Sequence, residues 1–200
     1  MFRMSRYAAA GSAGALLLTL ALSACQSDDP APSVSESVAP SPSASPTDTD
    51  PAEAGKEKNV ADAKQRYREF LAISNKHSKE GTNAYEEYVR GGYLGDQAIM
   101  SQMDSYWDDY VEKKLKQTGD GRIVSMDVTE YEGDPLADTV LGHRVHMKVC
   151  IDTSEVDVLG PDGASVRQGG VPERMVRDVL MQGQLNVWSV RENNGTGETC

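Results

Sequence analysis

The sequence predicts an α+β fold, with N-terminal helices packed on a curved antiparallel sheet of about four strands. Three observations lead there. From Asn59 to about Gly119, apolar side chains recur at three- and four-residue steps, the spacing of amphipathic helices. After Gly121 the period falls to two, the alternation of half-buried strands. The helices come first and the strands afterwards, an order that favours helices layered on one face of an antiparallel sheet over alternating βαβ units.

Each element follows from local signals. Val60, Ala63, Tyr67, Phe70, Leu71 and Ser74 lay one apolar stripe along a helix from about 60 to 77. Asn83 with Glu86 three residues on reads as a capping box for a short helix through Arg90, stopped by Gly91-Gly92. Asp96 caps a third helix, in which Ile99, Met100, Met103, Tyr106, Trp107, Tyr110 and Val111 cover one face and Asp104, Asp108 and Glu112 step along another. Lys113, Lys114 and Lys116 suit the negative end of its dipole, and Gly119 is expected to stop it. Strands are expected over Ile123–Glu132, His143–Ile151, Val171–Met181 and Leu185–Glu192, the last two joined by a tight turn near Gly183. In the second strand, His143, Val145, Met147, Val149 and Ile151 share one face and Arg144, His146, Lys148 and Cys150 the other. The 142 residues from 59 to 200 make one domain of ordinary size.

The Val149-Cys150-Ile151-Asp152 strand end, the following Gly160-Pro161-Asp162-Gly163 turn, the terminal cysteine and the helix-then-strand order resemble the cone-shaped nuclear-transport-factor-2-like superfamily, as found in small actinobacterial lipoproteins. The resemblance implies a cone of helices and sheet. It does not choose among the isomerases, cyclases, scaffolds and partner-binding modules built on that fold.

Residues 1–24 read as an export signal: Arg3 and Arg6 form a positive start, and Ala8 to Leu22 run without a charge. Leu22-Ser23-Ala24-Cys25 resembles the bacterial lipobox, which implies a diacylglyceryl group on the Cys25 thiol and anchoring to the outer face of the cell membrane. Residues 25–58 then form a linker. Between 26 and 58 stand seven Ser and six Pro, with no aromatic residue, a composition that cannot bury enough surface to offset its chain entropy and is expected to be disordered. Its span would hold the domain away from the bilayer.

Lys+Arg number 20 against 31 Asp+Glu, a formal net charge of −11. Such an acidic chain lacks the basic surface that nucleic acid demands. Membrane contact is expected through lipid and not through charge.

Few residues invite chemistry. Cys150 and Cys200 remain once Cys25 is assigned to lipid, and an even pair in an exported chain most simply forms a disulfide; a reduced Cys150 on a strand face or a reactive terminal thiol are the alternatives. His143 and His146 lie three apart on one strand and so on opposite faces, and no zinc spacing is completed, so no metal and no cofactor are expected. No G-x-S-x-G, H-E-x-x-H, Walker loop or complete G-x-G-x-x-G is present. Strand phase nominates Glu130 and His143 for a pocket where the helices meet the sheet. Six aromatics fall between Tyr85 and Tyr110; helical spacing assigns most to packing, with Tyr85, Tyr88 and Tyr93 as the candidate interaction surface.

These features point to a lipid-anchored, extracytoplasmic binding or protein-interaction module, with an unidentified envelope protein or small ligand as partner and no catalysis evident. The alternatives are a cone-pocket isomerase or cyclase or a small-ligand binder, and an immunity or exclusion lipoprotein of a mobile element.

Overall fold

A computed structural model describes residues 50–167 and 169–200. The export signal, Cys25 and most of the linker lie outside them. Three helices precede six strands: α1 (Pro51–Glu80), α2 (Tyr85–Arg90), α3 (Gln97–Glu112), β1 (Lys116–Thr118), β2 (Arg122–Glu132), β3 (Arg144–Asp152), β4 (Asp157–Leu159), β5 (Arg174–Gln184) and β6 (Val187–Gly195). Antiparallel pairing in the order β2-β3-β5-β6 builds the main sheet, and β1 and β4 form a separate two-stranded ribbon. The α+β class and the four-stranded antiparallel sheet are as the periodicities predict. Among the described residues no helix is long and apolar enough to cross a membrane.

Helix α1 starts at Pro51, inside the segment read as linker. Asp50 caps it by accepting from the Ala52 amide at 2.9 Å, and Pro51 supplies a preset φ where no amide hydrogen is needed. The first two turns carry Glu53, Lys56, Glu57 and Lys58, with a Lys58–Asp62 ion pair one turn on, so they form helix without an apolar stripe. Further along, Ala63, Tyr67, Phe70 and Ile73 are buried against the sheet.

Two helix boundaries differ from expectation for local reasons. Asn83 does not cap α2: its side chain accepts from the Tyr85 amide at 2.7 Å, an Asx turn that precedes the helix, and Glu86 stays exposed. Asp96 does cap α3, accepting from the Ile99 amide at 3.0 Å. That helix ends at Glu112, because Lys114 turns left-handed (φ 53°) and the chain enters β1 well before Gly119.

On the main sheet one face is dry. Val145, Met147, Val149 and Ile151 of β3 and Val179 and Met181 of β5 are all buried, and they pack with the helices into one core. Arg144 and Lys148 lie exposed on the opposite face of β3. The β6 edge does not remain open: the Gly95 amide donates to the Val190 carbonyl and the Val190 amide to the Tyr93 carbonyl, each at 2.7 Å. Arg66 ties α1 to the same edge, donating from Nε to the Trp188 carbonyl at 3.0 Å while its guanidinium stacks 3.5 Å above the Tyr93 ring.

The β5–β6 turn is Leu185-Asn186, two residues beyond the expected position. Gly183 instead lies within β5, paired with Trp188, where the Val140 carbonyl oxygen sits 1.8 Å from where a β-carbon would be. Only glycine admits that backbone.

Cys150 and Cys200 form a disulfide, with Cα atoms 6.0 Å apart. The tail reaches it along β5: the Thr196 amide donates to the Val176 carbonyl at 3.1 Å and the Val176 amide to the Glu198 carbonyl at 2.9 Å. Lys148 pairs with Glu198 at 2.9 Å on the same outer face.

Candidate functional site

Strict alternation along β2 puts Glu130 in phase with Met126 and Val128, on the core face. The structure breaks that phase. A bulge between Val128 and Glu130 inserts an extra residue, so Val128 lies opposite Met147 on the inner face while Glu130 lies opposite His146 on the outer one. Glu130 is exposed and does not meet His143. The pair nominated from strand phase is therefore divided between two faces of the sheet.

His143 precedes β3 and is buried. Its Nδ1 lies 3.1 Å from the Tyr131 hydroxyl, which accepts from Asn59 Nδ2 at 3.0 Å. Gly133 (φ 135°) passes so close that a β-carbon there would lie 2.5 Å from the imidazole ring. These two contacts join α1, β2 and the loop before β3, and the Tyr131 hydroxyl is shared between Asn59 and His143.

On the outer face, Glu130, Glu132 and His146 bring ligand-type atoms within 4.8 Å of one another. Glu132 is already occupied, pairing with Arg144 at 3.3 Å and with His146 at 3.2 Å. His143 and His146 fall on opposite sides of the sheet, as their spacing predicts.

The tyrosines nominated as an interaction surface are largely internal. Tyr88 is completely buried, its ring 4.7 Å from Phe70, and its hydroxyl donates to the Phe70 carbonyl at 3.2 Å. Tyr93 lies under Arg66 and donates to Glu69 at 3.2 Å, and Tyr85 is half-buried. The core packing that helical spacing assigns to most of the aromatics thus extends to Tyr88, and Tyr93, beyond the end of α2, is held by Arg66 and Glu69. The exposed aromatic of the group is Tyr106, at 49%.

A cavity of about 550 Å³ opens where α1 and α3 face the inner side of β3, β5 and β6. Phe70, Leu71, Met103, Trp107 and Ile151 make its apolar wall. Tyr67, Tyr106, Arg177 and Asn193 add polar groups. This volume falls in the range of small-molecule sites, as does the mixture of an aromatic wall and a few convergent polar groups. A second depression, of about 470 Å³ between α1 and the start of β2, is more open and has no aromatic wall.

Arg177 occupies a position that alternation assigns to the core. It lies two and four residues before Val179 and Met181 and shares their face of β5. Asn193 holds it from the adjacent strand: Arg177 Nε donates to Asn193 Oδ1 at 2.8 Å and Nη2 to the Asn193 carbonyl at 3.0 Å. The Tyr67 hydroxyl reaches the same Oδ1 at 3.1 Å. A cation at an inward strand position is a signal readable in the sequence, Arg177-x-Val179-x-Met181, and sequence reasoning passed over it.

Burial pushes the Tyr67 phenol up to about 12, while the Arg177 charge pulls it the other way. Burial also raises the Tyr106 phenol, again opposed by Arg177. An unfolded tyrosine ionises near pH 10, so the folded state holds the Tyr67 proton more tightly, and its contribution is complete below pH 10 and lost as pH rises toward 12. At pH 11 the loss from Tyr67 alone is about 1.4 kcal/mol. Tyr67→Phe is accordingly expected to melt below wild type at pH 8, for want of its bond to Asn193, with the gap narrowing at pH 11. Melting curves at the two pH values check this, and a constant gap would contradict it.

No family model matches the chain, and neither a curated protein nor a solved structure does so.

Proposed function

We propose that this chain is a lipid-anchored, extracytoplasmic module that receives a small ligand in the cavity between its helices and the inner face of its sheet. One observation carries the ligand part: the cavity is walled by α1, α3 and three strands, and it combines an aromatic and aliphatic wall with the hydrogen-bonded group Tyr67, Arg177 and Asn193. Arg3, Arg6 and the Leu22-Ser23-Ala24-Cys25 sequence support the anchor, which the long Ser/Pro-rich segment would connect to the domain. Helices followed by an antiparallel sheet also agree with a nuclear-transport-factor-2-like reading.

The test uses N-phenyl-1-naphthylamine, a neutral dye that fluoresces in apolar surroundings. Wild type is expected to bind it saturably, and Ser74→Phe, which puts bulk into the cavity wall, to bind it at least about tenfold more weakly with its melting temperature preserved. If that variant is destabilised, Ser105→Trp at the exposed rim replaces it. The Cys25→Ala chain should bind the dye like wild type and move from the detergent phase to the aqueous phase. Absence of saturable binding by wild type would refute the cavity reading, and unchanged partition of Cys25→Ala would refute the anchor.

A further inference from the structure

The cavity is chemically lopsided. Its apolar wall suits a ring or an alkyl chain, and its one cation, Arg177, lies at the sheet side with no carboxylate within ion-pair distance among the described residues. The cavity's single carboxylate, Asp109, is engaged elsewhere, 2.7 Å from Lys113 Nζ. Most other guanidinium groups among the described residues find acidic partners, as Arg66 meets Glu69, Arg144 meets Glu132, Arg174 meets Asp152 and Arg191 meets Asp96; Arg68 and Arg167 have no ion pair, but neither lines this cavity. Arg177 is braced only by Asn193, through Nε and Nη2, and its Nη1 has no acceptor among the described residues.

A second donor is also without an acceptor. Trp107 is 1% exposed, lines the same cavity, and its indole Nε1 is buried with no hydrogen-bond partner. Buried donors are ordinarily satisfied, so each exception calls for an account. Trp188 Nε1, outside the cavity, is likewise without a partner, so the Trp107 indole does not by itself mark a ligand; the Arg177 guanidinium, with no acidic partner in the cavity wall, is the donor that calls for an acceptor-bearing guest. A partly desolvated guanidinium favours an anionic one, because charge-assisted bonds strengthen as water is excluded.

We propose that the cavity binds an organic monoanion with an apolar, ring-sized body, its acidic group on Arg177 and its body between Phe70, Met103 and Trp107. This rests on the cavity reading above and names the ligand class of that site. The acidic chain does not draw an anion in from a distance; a net charge of −11 opposes it. Selectivity is therefore a local property of Arg177, and it depends only weakly on salt.

A matched pair of dyes tests it. 8-Anilinonaphthalene-1-sulfonate is N-phenyl-1-naphthylamine carrying one sulfonate, so comparing them isolates the charge. Wild type is expected to bind both. Arg177→Gln should weaken sulfonate binding by at least about tenfold and change neutral-dye binding by less than about twofold, the effect of losing one charge-assisted contact. Equal weakening of both dyes, or of neither, would overturn the proposal and assign Arg177 to bracing β6. Should Arg177→Gln fold poorly, wild type alone decides: 4-phenylbutyrate is expected to displace the neutral dye at least about fivefold more effectively than 4-phenylbutanamide. Equal displacement would overturn the anion assignment while leaving the cavity a ligand site. Wild type that binds neither dye would instead refute the cavity reading itself.

Discussion

Replacing Cys150 and Cys200 together by alanine is expected to lower the melting temperature by about 12 °C, about 4 kcal/mol at about 3 °C per kcal/mol for a domain of this size. The bridge spans 50 positions, and the enclosed chain includes β4, β5 and β6. Much of its effect therefore acts on the unfolded chain, which loses the freedom to separate these ends. The folded state loses something as well. Cys150 lies on the outer face of β3 among exposed Arg144 and Lys148, yet is only 5% exposed, with the C-terminal tail bonded to it and to the neighbouring strand. Without the bridge the tail keeps the Thr196 and Glu198 bonds to Val176 and the Lys148–Glu198 pair, which are exposed or at an edge. Such contacts are individually weak. Mild reduction of wild type should reproduce the shift of the double variant, and a shift under about 3 °C by either route would show that the tail is held without its covalent link.

Where one physical rule governs a stretch, the sequence is legible. The inward face of β3 follows from alternation alone, and Asp96 announces the start of α3. Competing rules hide the rest. The first two turns of α1 are polar on all sides, so apolar periodicity passes over them, although Asp50-Pro51 is a start signal on its own terms. The bulge between Val128 and Glu130 has no residue signature, and it transfers Glu130 from the face of Val128 to the face of His146. One inserted residue thus dissolved the nominated Glu130–His143 pair. At Arg177 the rule itself was informative: a charged residue in core phase violates the pattern, and such violations concentrate where a fold serves something besides stability. A pocket where the helices meet the sheet is expected near Glu130 and His143; the cavity lies at such a junction but is lined by neither, because its residues depend on which inward positions carry Arg177 and Asn193.

Tyr88→Ala should distinguish packing from recognition, with an expected loss of about 3–5 kcal/mol and a melting temperature lower by about 10 °C or more. The ring is wholly buried although it stands on a helix of six residues. It stacks on Phe70 at 4.7 Å, meets Tyr93 edge-on at 6.2 Å and lies 6.4 Å from Trp107, so its removal leaves a void where α1, α2 and α3 converge. Such a void cannot collapse easily, because α2 is already fixed by the Gly91-Gly92 turn and by the Tyr93 amide bonding back to the Tyr88 carbonyl at 2.9 Å. Tyr88→Phe keeps the stack and gives up one hydrogen bond to the Phe70 carbonyl, with an expected cost of about 1 kcal/mol. Tyr85→Ala, at a half-buried position, should cost less than Tyr88→Ala. If the tyrosines formed a recognition surface, truncating Tyr88 would leave stability intact and weaken association instead. Core packing predicts the reverse order of effects, and urea unfolding of the three variants decides between them: a Tyr88→Ala unfolding free energy within about 0.5 kcal/mol of wild type would remove Tyr88 from the core.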